Sequence, residues 1–236
     1  PFVGFNAESY VSWIMTYPVL VQYGPGLVMQ GDWAEDWEIS PDGKTWTFTV
    51  KEGVWSDGQP LTAADGAWMI NTTLKYQDGP TGNLLSYVTG IVEAAAPDPT
   101  TLVLAFEKPV PEDKFLEGLT QYPILPEHVW SQYETNGGKD LRTYNPQDDL
   151  PLVSGGAFIL TKFDKNGVTL YEKNPDFYGE PAYVDASGSA IPVAGAEGVL
   201  IPKGSIASII RFASDAPPAE QGSPADVAQS PPARKV

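Results

Sequence analysis

The sequence predicts a folded chain that contains both α-helices and β-strands, and three observations support this. The 236 residues are enough to bury a sizeable core, as one large domain or two smaller ones. Apolar residues make up 42% of the chain and charged residues only 19%, which argues against general disorder. Segments with helical spacing of apolar residues alternate with segments in which every second residue is apolar.

The first predicted element is a helix that begins near Asn6. Asn6 can cap its N-terminus, and Glu8 falls in the first turn, where a negative charge complements the helix dipole. The following sequence, YVSWIMTY, supplies an apolar face. Pro18 should end or kink this helix, because proline lacks the amide hydrogen that an interior helical position requires.

A β-hairpin follows in the stretch WEISPDGKTWTFTVKEGVWSDG, residues 37–58. Trp46, Phe48 and Val50 alternate with polar residues, so one face of this strand is expected to be buried. The sequence SPDG suits the tight turn that precedes the strand, and Trp37 then falls on the partner strand.

Further helices and strands are predicted up to about residue 180. Thr62 is suited to cap a helix over LTAADGAWMINTTLKY, with Asp65 at the capping-box position. Strand patterns recur at TLVLAF and in a second hairpin, AFILTKF–DKNG–VTLYEK. Short helices are expected near residues 112–119 and 127–133, and the polar segment 134–153 is expected to be a loop.

The chain divides into three parts. Residues 1–186 hold the predicted elements, and residues 187–214 have apolar content without a clean period and stay unassigned. Residues 215–236 are rich in Pro, Ala and Ser, and we expect them to be disordered. No apolar run approaches the ~20 residues that span a bilayer, and no signal peptide is visible at the start. A mature or truncated chain would begin in the same way.

Charge and motif content argue against several classes of protein. The net charge of −16 argues against nucleic-acid binding, which needs basic patches. The absence of cysteine excludes disulfides, thiolate metal ligands and cysteine nucleophiles. His128 is the only histidine, and no GxSxG, P-loop or GxGxxG motif occurs. We therefore expect no enzyme activity, no metal site and no cofactor.

Aromatic residues are abundant, with 7 Trp, 11 Tyr and 9 Phe. Those that alternate along a predicted strand are expected in the core. The aromatic residues that fit no strand face are Tyr10, Trp13, Tyr17, Tyr87 and Tyr122. Aromatic rings with a polar tip also line ligand clefts, so core packing and solute binding both remain open for this second group.

Several motifs occur together and in one order. The segment GDWAEDWEISPDGKTWTFTVKEGVWSDGQPLTAAD is followed by TTLVLAFEKPVP, then YPILPEHVW, then SGGAFILTKFDKNGVTLYEKNPDFYG. This series closely resembles the family 5 extracellular solute-binding proteins, the oligopeptide- and dipeptide-binding components of ABC importers. The resemblance covers about residues 4–181. It implies that the tryptophans of the stretch 37–58 serve the fold rather than the ligand.

The resemblance implies an α/β fold of the type II periplasmic-binding-protein class. Mixed sheets with flanking helices would form two lobes that close on a ligand, with residues 1–186 in the region of the first lobe. Family members are usually much longer, and the recognisable motifs fade after Pro181. We therefore expect an incomplete two-lobe architecture that lacks most of the second lobe.

The resemblance also implies an extracytoplasmic substrate-binding component, located in the periplasm or attached to the cell surface as a lipoprotein. Such a protein binds oligopeptides, dipeptides or another small solute and delivers it to the permease subunits of an ABC transporter. The alternative is a truncated lobe without ligand binding, which is an interaction module or a non-functional fragment, because half a cleft loses much of its contact area.

Correspondence with the family motifs places ligand contacts in three regions: the loop before the first helix, a tyrosine near the middle of the chain, and the glycine turn near the hinge. A turn or packing role is the alternative for each position. The expected ligand-binding residues are Gly4, Phe5, Asn6, Tyr87, Gly155, Gly156 and Phe158.

Overall fold

A computed structural model describes residue 2 and residues 7–164, 169–180 and 186–187. Several sequence predictions lie outside these residues. They include the loop with Gly4, Phe5 and Asn6, the turn of the second hairpin, nearly all of the unassigned segment 187–214, and the predicted disordered tail 215–236.

The described residues form five α-helices, several short 3₁₀ turns and eleven strands. The helices are α1 (Ala7–Thr16), α2 (Ala63–Lys75), α3 (Glu112–Leu119), α4 (Glu127–Trp130) and α5 (Asp140–Thr143). The strands are β1 (Val21–Tyr23), β2 (Met29–Gly31), β3 (Ala34–Ile39), β4 (Thr45–Val50), β5 (Gly53–Val54), β6 (Pro60–Leu61), β7 (Ile91–Asp98), β8 (Thr101–Phe106), β9 (Phe158–Lys162), β10 (Leu170–Lys173) and β11 (Ala186–Ser187).

The largest sheet is antiparallel, with the strand order β3-β4-β8-β7. The side chains that the sequence predicts on the buried face of β4 are all buried, and the same alternation holds along β8. Trp46 lies opposite Leu104 across the β4–β8 pair. Helix α2 packs against β7 and β8, where Gly66 brings the helix close to the side chain of Leu102.

Helix α2 begins where the sequence predicts. Thr62 is its N-cap residue, and the backbone N–H of Thr62 donates to Oδ2 of Asp65 at 2.9 Å. Oδ1 of Asp65 also accepts the backbone N–H of Glu127 at 2.9 Å, so one carboxylate joins the starts of α2 and α4. Burial raises the pKa of Asp65, although these hydrogen bonds act in the opposite direction.

Helix α1 ends at Thr16, two residues before Pro18, as predicted. It lies against a second, three-stranded antiparallel sheet with the order β11-β10-β9. The predicted second hairpin is confirmed by the pairing of β9 with β10. The hydroxyl of Tyr171 in β10 donates to Oγ of Ser12 at 2.8 Å, which fixes α1 on this sheet.

The segment 134–153 differs from the prediction of a loop, because it contains α5 and two 3₁₀ turns. Local side-chain hydrogen bonds explain the difference. Oδ2 of Asp140 accepts hydrogen bonds from Oγ1 of Thr135 and Nδ2 of Asn136. The side chain of Leu141, in α5 itself, is buried. Polar residues therefore stabilise short helical turns here without an apolar period of their own.

The buried apolar side chains form one contiguous cluster from Phe2 to Leu160. It includes the inner face of the large sheet, α2, the C-terminal half of α1 and the middle of β9. None of the helices among the described residues is long and apolar enough to cross a membrane.

Candidate functional site

A cavity of about 420 Å³ opens beside the C-terminal half of α1, between α5 and β9. This volume lies in the range of small-molecule sites. Its lining combines aromatic rings with uncharged polar groups and one cation. The residues are Phe2, Ser12, Trp13, Thr16, Tyr17, Trp130, Leu141, Arg142, Thr143, Tyr144, Asn145, Pro146, Gln147, Leu152 and Leu160.

Trp130, at the C-terminal end of α4, is the centre of the aromatic lining. The rings of Phe2 and Tyr144 meet it edge to face, with centroid distances of 5.4 and 5.0 Å. Tyr144 in turn stacks on Tyr133 at 3.9 Å with an interplanar angle of 12°. Edge-to-face and stacked contacts are favourable arrangements of aromatic quadrupoles, so this wall of the cavity is held by packing.

A second cavity of about 160 Å³ shares Tyr17, Trp130 and Tyr144 with the larger one. The hydroxyl of Tyr17 is buried and has no hydrogen-bond partner within the described structure. Burial raises the pKa of Tyr17, so this phenol stays neutral. A buried polar group without a partner costs about 1–3 kcal/mol, and a polar ligand atom or a water molecule at this point would recover part of that free energy.

Glu134 fixes the segment that carries the rim of the cavity. Its Oε1 accepts hydrogen bonds from Nε1 of Trp68 at 2.6 Å and Oγ1 of Thr72 at 3.2 Å. Its Oε2 accepts from Nζ of Lys75 at 2.8 Å and from the hydroxyl of Tyr76 at 3.2 Å. All four donors belong to α2 or the residue that follows it, so the segment after α4 is anchored on α2.

The pKa of the Glu134 carboxyl group is also lowered. Burial alone would raise the pKa of its carboxyl group, but the hydrogen bonds from Lys75, Trp68 and Tyr76 outweigh burial and lower it. The carboxylate is therefore ionised at neutral pH, as its role as an acceptor requires.

The charge of the larger cavity contrasts with that of the whole chain. The chain has 30 acidic and 14 basic side chains, yet the described residues of the lining include no Asp or Glu and one Arg, Arg142. The smaller cavity contains one acid, Asp149. Arg142 is exposed and forms no ion pair with any of the residues described. An anionic group is therefore better accommodated in the larger cavity than a cationic one.

The glycine turn predicted at the ligand site lies against the end of α1. The backbone N–H groups of Gly155 and Gly156 donate to the carbonyl oxygen of Thr16 at 3.1 and 2.9 Å. These bonds satisfy a carbonyl that the end of a helix would otherwise leave unpaired. A Cβ atom on Gly156 would lie 2.6 Å from the carbonyl oxygen of Met15, so only glycine fits here without displacement of the backbone.

Two other predicted ligand residues, Phe158 and Tyr87, lie among the described residues and outside the two cavities. Phe158 begins β9, and its carbonyl oxygen accepts a hydrogen bond from Oγ of Ser154. Tyr87 lies in the 3₁₀ turn Leu85–Val88 and packs, half-buried, against the core. Of the predicted ligand residues that the structure describes, Gly155, Gly156 and Phe158 lie close together in the chain, and Tyr87 lies in a different element. Their role in ligand binding stays a prediction.

The sequence prediction missed the residues of segment 134–153 that line the cavity, Arg142 and Tyr144 above all. The signal was weak: a polar, Gly- and Pro-containing segment in which an aromatic residue precedes Asn-Pro. Trp13 and Tyr17, in contrast, belong to the aromatic residues that fit no strand face, and both line the cavity.

The single histidine of the chain, His128, contacts a carboxylate. Nε2 of His128 lies 2.8 Å from Oδ2 of Asp57, a contact that joins α4 to the turn between β5 and β6. In the part of the chain that the structure describes, no group of three or more His, Asp or Glu side chains could hold a metal ion.

Comparison with known proteins identifies a family whose sequences match this chain. The family described as bacterial extracellular solute-binding proteins, family 5 (middle) matches residues 28–232, which extends past Pro181, where the sequence motifs fade. A protein of Brucella ovis that is named as a putative ABC transporter peptide-binding protein is 29% identical to this chain over 182 residues. The match covers 76% of this chain and 33% of that protein.

Two proteins of Bacillus subtilis are also similar. The dipeptide-binding protein DppE is 26% identical over 192 residues, 75% of this chain and 34% of that protein. The structure of the oligopeptide-binding protein AppA, in complex with a nonapeptide, matches with a TM-score of 0.65 and 20% identity, covering 78% of this chain and 35% of that chain. The chain therefore spans about a third of the length of the curated relatives that it matches.

Proposed function

Because the chain belongs to the bacterial extracellular solute-binding proteins of family 5, we propose that it is the extracytoplasmic substrate-binding component of an ABC importer, with oligopeptides or dipeptides as its solutes. Its place would be the periplasm or the cell surface, where it would deliver the solute to the permease subunits. We expect no chemical step from such a component.

The observation that carries this proposal is the cavity beside α1. Ser12, Thr143, Asn145 and Gln147 present hydroxyl and amide groups that can pair with the N–H and C=O groups of a peptide backbone. Aromatic rings in the same lining offer contact area to apolar side chains of varied shape. A lining of this composition binds the backbone through polar contacts and tolerates different side chains.

Calorimetry and thermal-shift measurements with a mixed di- to pentapeptide library test the proposal. We expect a rise in melting temperature with some of the peptides, because binding to the native state alone stabilises it. The affinity should fall when Asn145 and Gln147 are both replaced by alanine. The control is Gln59→Ala, which removes an exposed amide that lines neither cavity. A clean unfolding transition without a response to any peptide would contradict the proposal and favour a module without ligand binding.

A further inference from the structure

We propose that the larger cavity selects solutes in which a carboxylate lies next to an apolar or aromatic group, and that Arg142 binds this carboxylate. This inference rests on the proposed function for the identification of the cavity as the solute site. It adds a chemical class to that function and names the residue that determines it.

The first step of the argument is the charge of the lining. On a chain with a net charge of −16, the residues that the structure describes around this cavity include no acidic side chain and contain Arg142. A cationic solute would find no counter-charge among these residues, whereas an anionic solute would find one. The guanidinium group presents paired N–H donors in a planar arrangement that matches both oxygens of a carboxylate.

The second step is that Arg142 is available. It is exposed and has no ion pair among the described residues. The acid nearest to it in sequence, Asp140, accepts hydrogen bonds from Thr135 and Asn136 within its own segment. The carboxylate of Asp140 is thereby directed toward the turn before α5, and the donors of Arg142 are left for a ligand.

The third step is the position of Arg142 next to fixed apolar groups. The buried side chain of Leu141 anchors α5, the helix that also carries Arg142, and the ring of Tyr144 is stacked on that of Tyr133. Trp130 and Trp13 also line the cavity and add aromatic surface to it. A small anion such as acetate or phosphate would leave this surface uncovered, so the site favours an acid that also carries an apolar group.

The test uses two small probes, N-acetyl-L-phenylalanine and N-acetyl-L-phenylalaninamide, which share one skeleton and differ in the charged carboxylate. Binding is followed in ¹H–¹⁵N spectra through the indole N–H signals of Trp13 and Trp130 and the Nε–H signal of Arg142. We expect the wild-type chain to bind the acid about tenfold more tightly than the amide, as is reasonable for one charge-assisted bidentate contact. The indole signals should shift with both probes.

Three variants separate the specific contact from a general effect of charge. Arg142→Gln should reduce the preference for the acid to about twofold or less, and Arg142→Lys should retain part of it, because lysine keeps the charge and loses the paired donors. Lys139→Gln removes a neighbouring exposed positive charge that does not line the cavity, and it should leave the preference unchanged.

Equal binding of acid and amide, or a preference that survives Arg142→Gln, would overturn the inference. Absence of binding by both probes up to their solubility limit would overturn it as well. The outcomes separate it from the proposed function. If library peptides bind equally with free and amidated C-termini, only this inference fails. If the phenylalanine acid binds through Arg142 and no peptide does, the assignment of peptides as solutes fails and the carboxylate site stands.

Discussion

Glu134 holds the cavity rim on α2, and this single carboxylate should make the stability of the protein depend on pH. Its folded-state pKa lies below the ordinary value of 4.5, so its contribution is fully present above pH 4.5 and is lost as the pH falls through the folded-state value. We expect Glu134→Gln to lower the free energy of unfolding by about 1–2 kcal/mol at pH 7, since hydrogen bonds to a charged acceptor are replaced by bonds to a neutral one.

Urea unfolding of both proteins between pH 7 and pH 3 measures this effect. The difference between wild type and Glu134→Gln should shrink below pH 4.5, because the wild-type carboxyl group then becomes protonated and neutral. Glu107→Gln, at an exposed position, serves as the control and should give a small difference at every pH. A difference for Glu134→Gln that is constant across this range would contradict the role of its charge.

A second residue-level contact joins segment 169–180 to the residue that follows β2. The hydroxyl of Tyr178 donates to Oδ2 of Asp32 at 2.9 Å, and Nζ of Lys51 lies 5.5 Å from the centre of the Tyr178 ring. Burial raises the pKa of Asp32, and the hydrogen bond from Tyr178 partly compensates. Tyr178→Phe should therefore cost about 1–3 kcal/mol of unfolding free energy, because Asp32 loses a donor. Tyr23→Phe, at an exposed ring, should change stability little in the same denaturation experiment.

These residues show which polar contacts a sequence can predict. The bond between Thr62 and Asp65 spans three positions, and the capping-box pattern is sufficient to predict it. Tyr178 and Asp32 are 146 positions apart, and Glu134 lies 58 to 66 positions from its four partners. No local pattern encodes such pairs, so only the folded structure reveals them.

At the scale of elements, the contact between α1 and the glycine turn is a close approach of backbone to backbone. A Cβ atom on Gly156 would meet backbone atoms of Met15 and Thr16 at 2.6 to 3.0 Å, and backbone atoms cannot rotate away. We expect Gly156→Ala to destabilise the fold by about 1–3 kcal/mol through overpacking. Gly79→Ala is the matched control, since its Cβ would meet no atom within 4 Å and its effect should stay within about 0.5 kcal/mol. Thermal unfolding of the two variants measures this difference in stability. Equal melting temperatures would contradict the close approach.

The helices and strands that the sequence predicts correctly are those with a regular spacing of apolar residues. The strand with Trp46 and Phe48 and the helix after Thr62 carry a clear period, and both lie where the sequence places them. Helix α5 has no such period. Its stability comes instead from the hydrogen bonds of Asp140 and from burial of Leu141, which the spacing of apolar residues does not reveal. The site follows the same rule: Ser12, Arg142 and Leu160 meet at the cavity only through the tertiary fold.

At the scale of the whole molecule, the continuous core predicts that the large sheet and the sheet of β9 and β10 unfold together. Leu160 of β9 and Leu104 of β8 belong to one cluster of buried side chains, together with Trp33, Trp55 and Trp130. Tryptophan fluorescence and far-ultraviolet circular dichroism should therefore report one coincident transition in urea, as expected for a two-state domain.

Two core truncations make this prediction specific. Leu160→Ala and Leu104→Ala each leave a cavity and should each cost about 2–5 kcal/mol. Since the core is shared, each variant should lower the urea midpoint to the same extent for both probes, with an unchanged dependence of the free energy on urea. If Leu160→Ala shifted only a part of the signal and left a second transition at the wild-type midpoint, the wall of the cavity on β9 would be a separate unit. The cavity would then be able to open without unfolding of the large sheet.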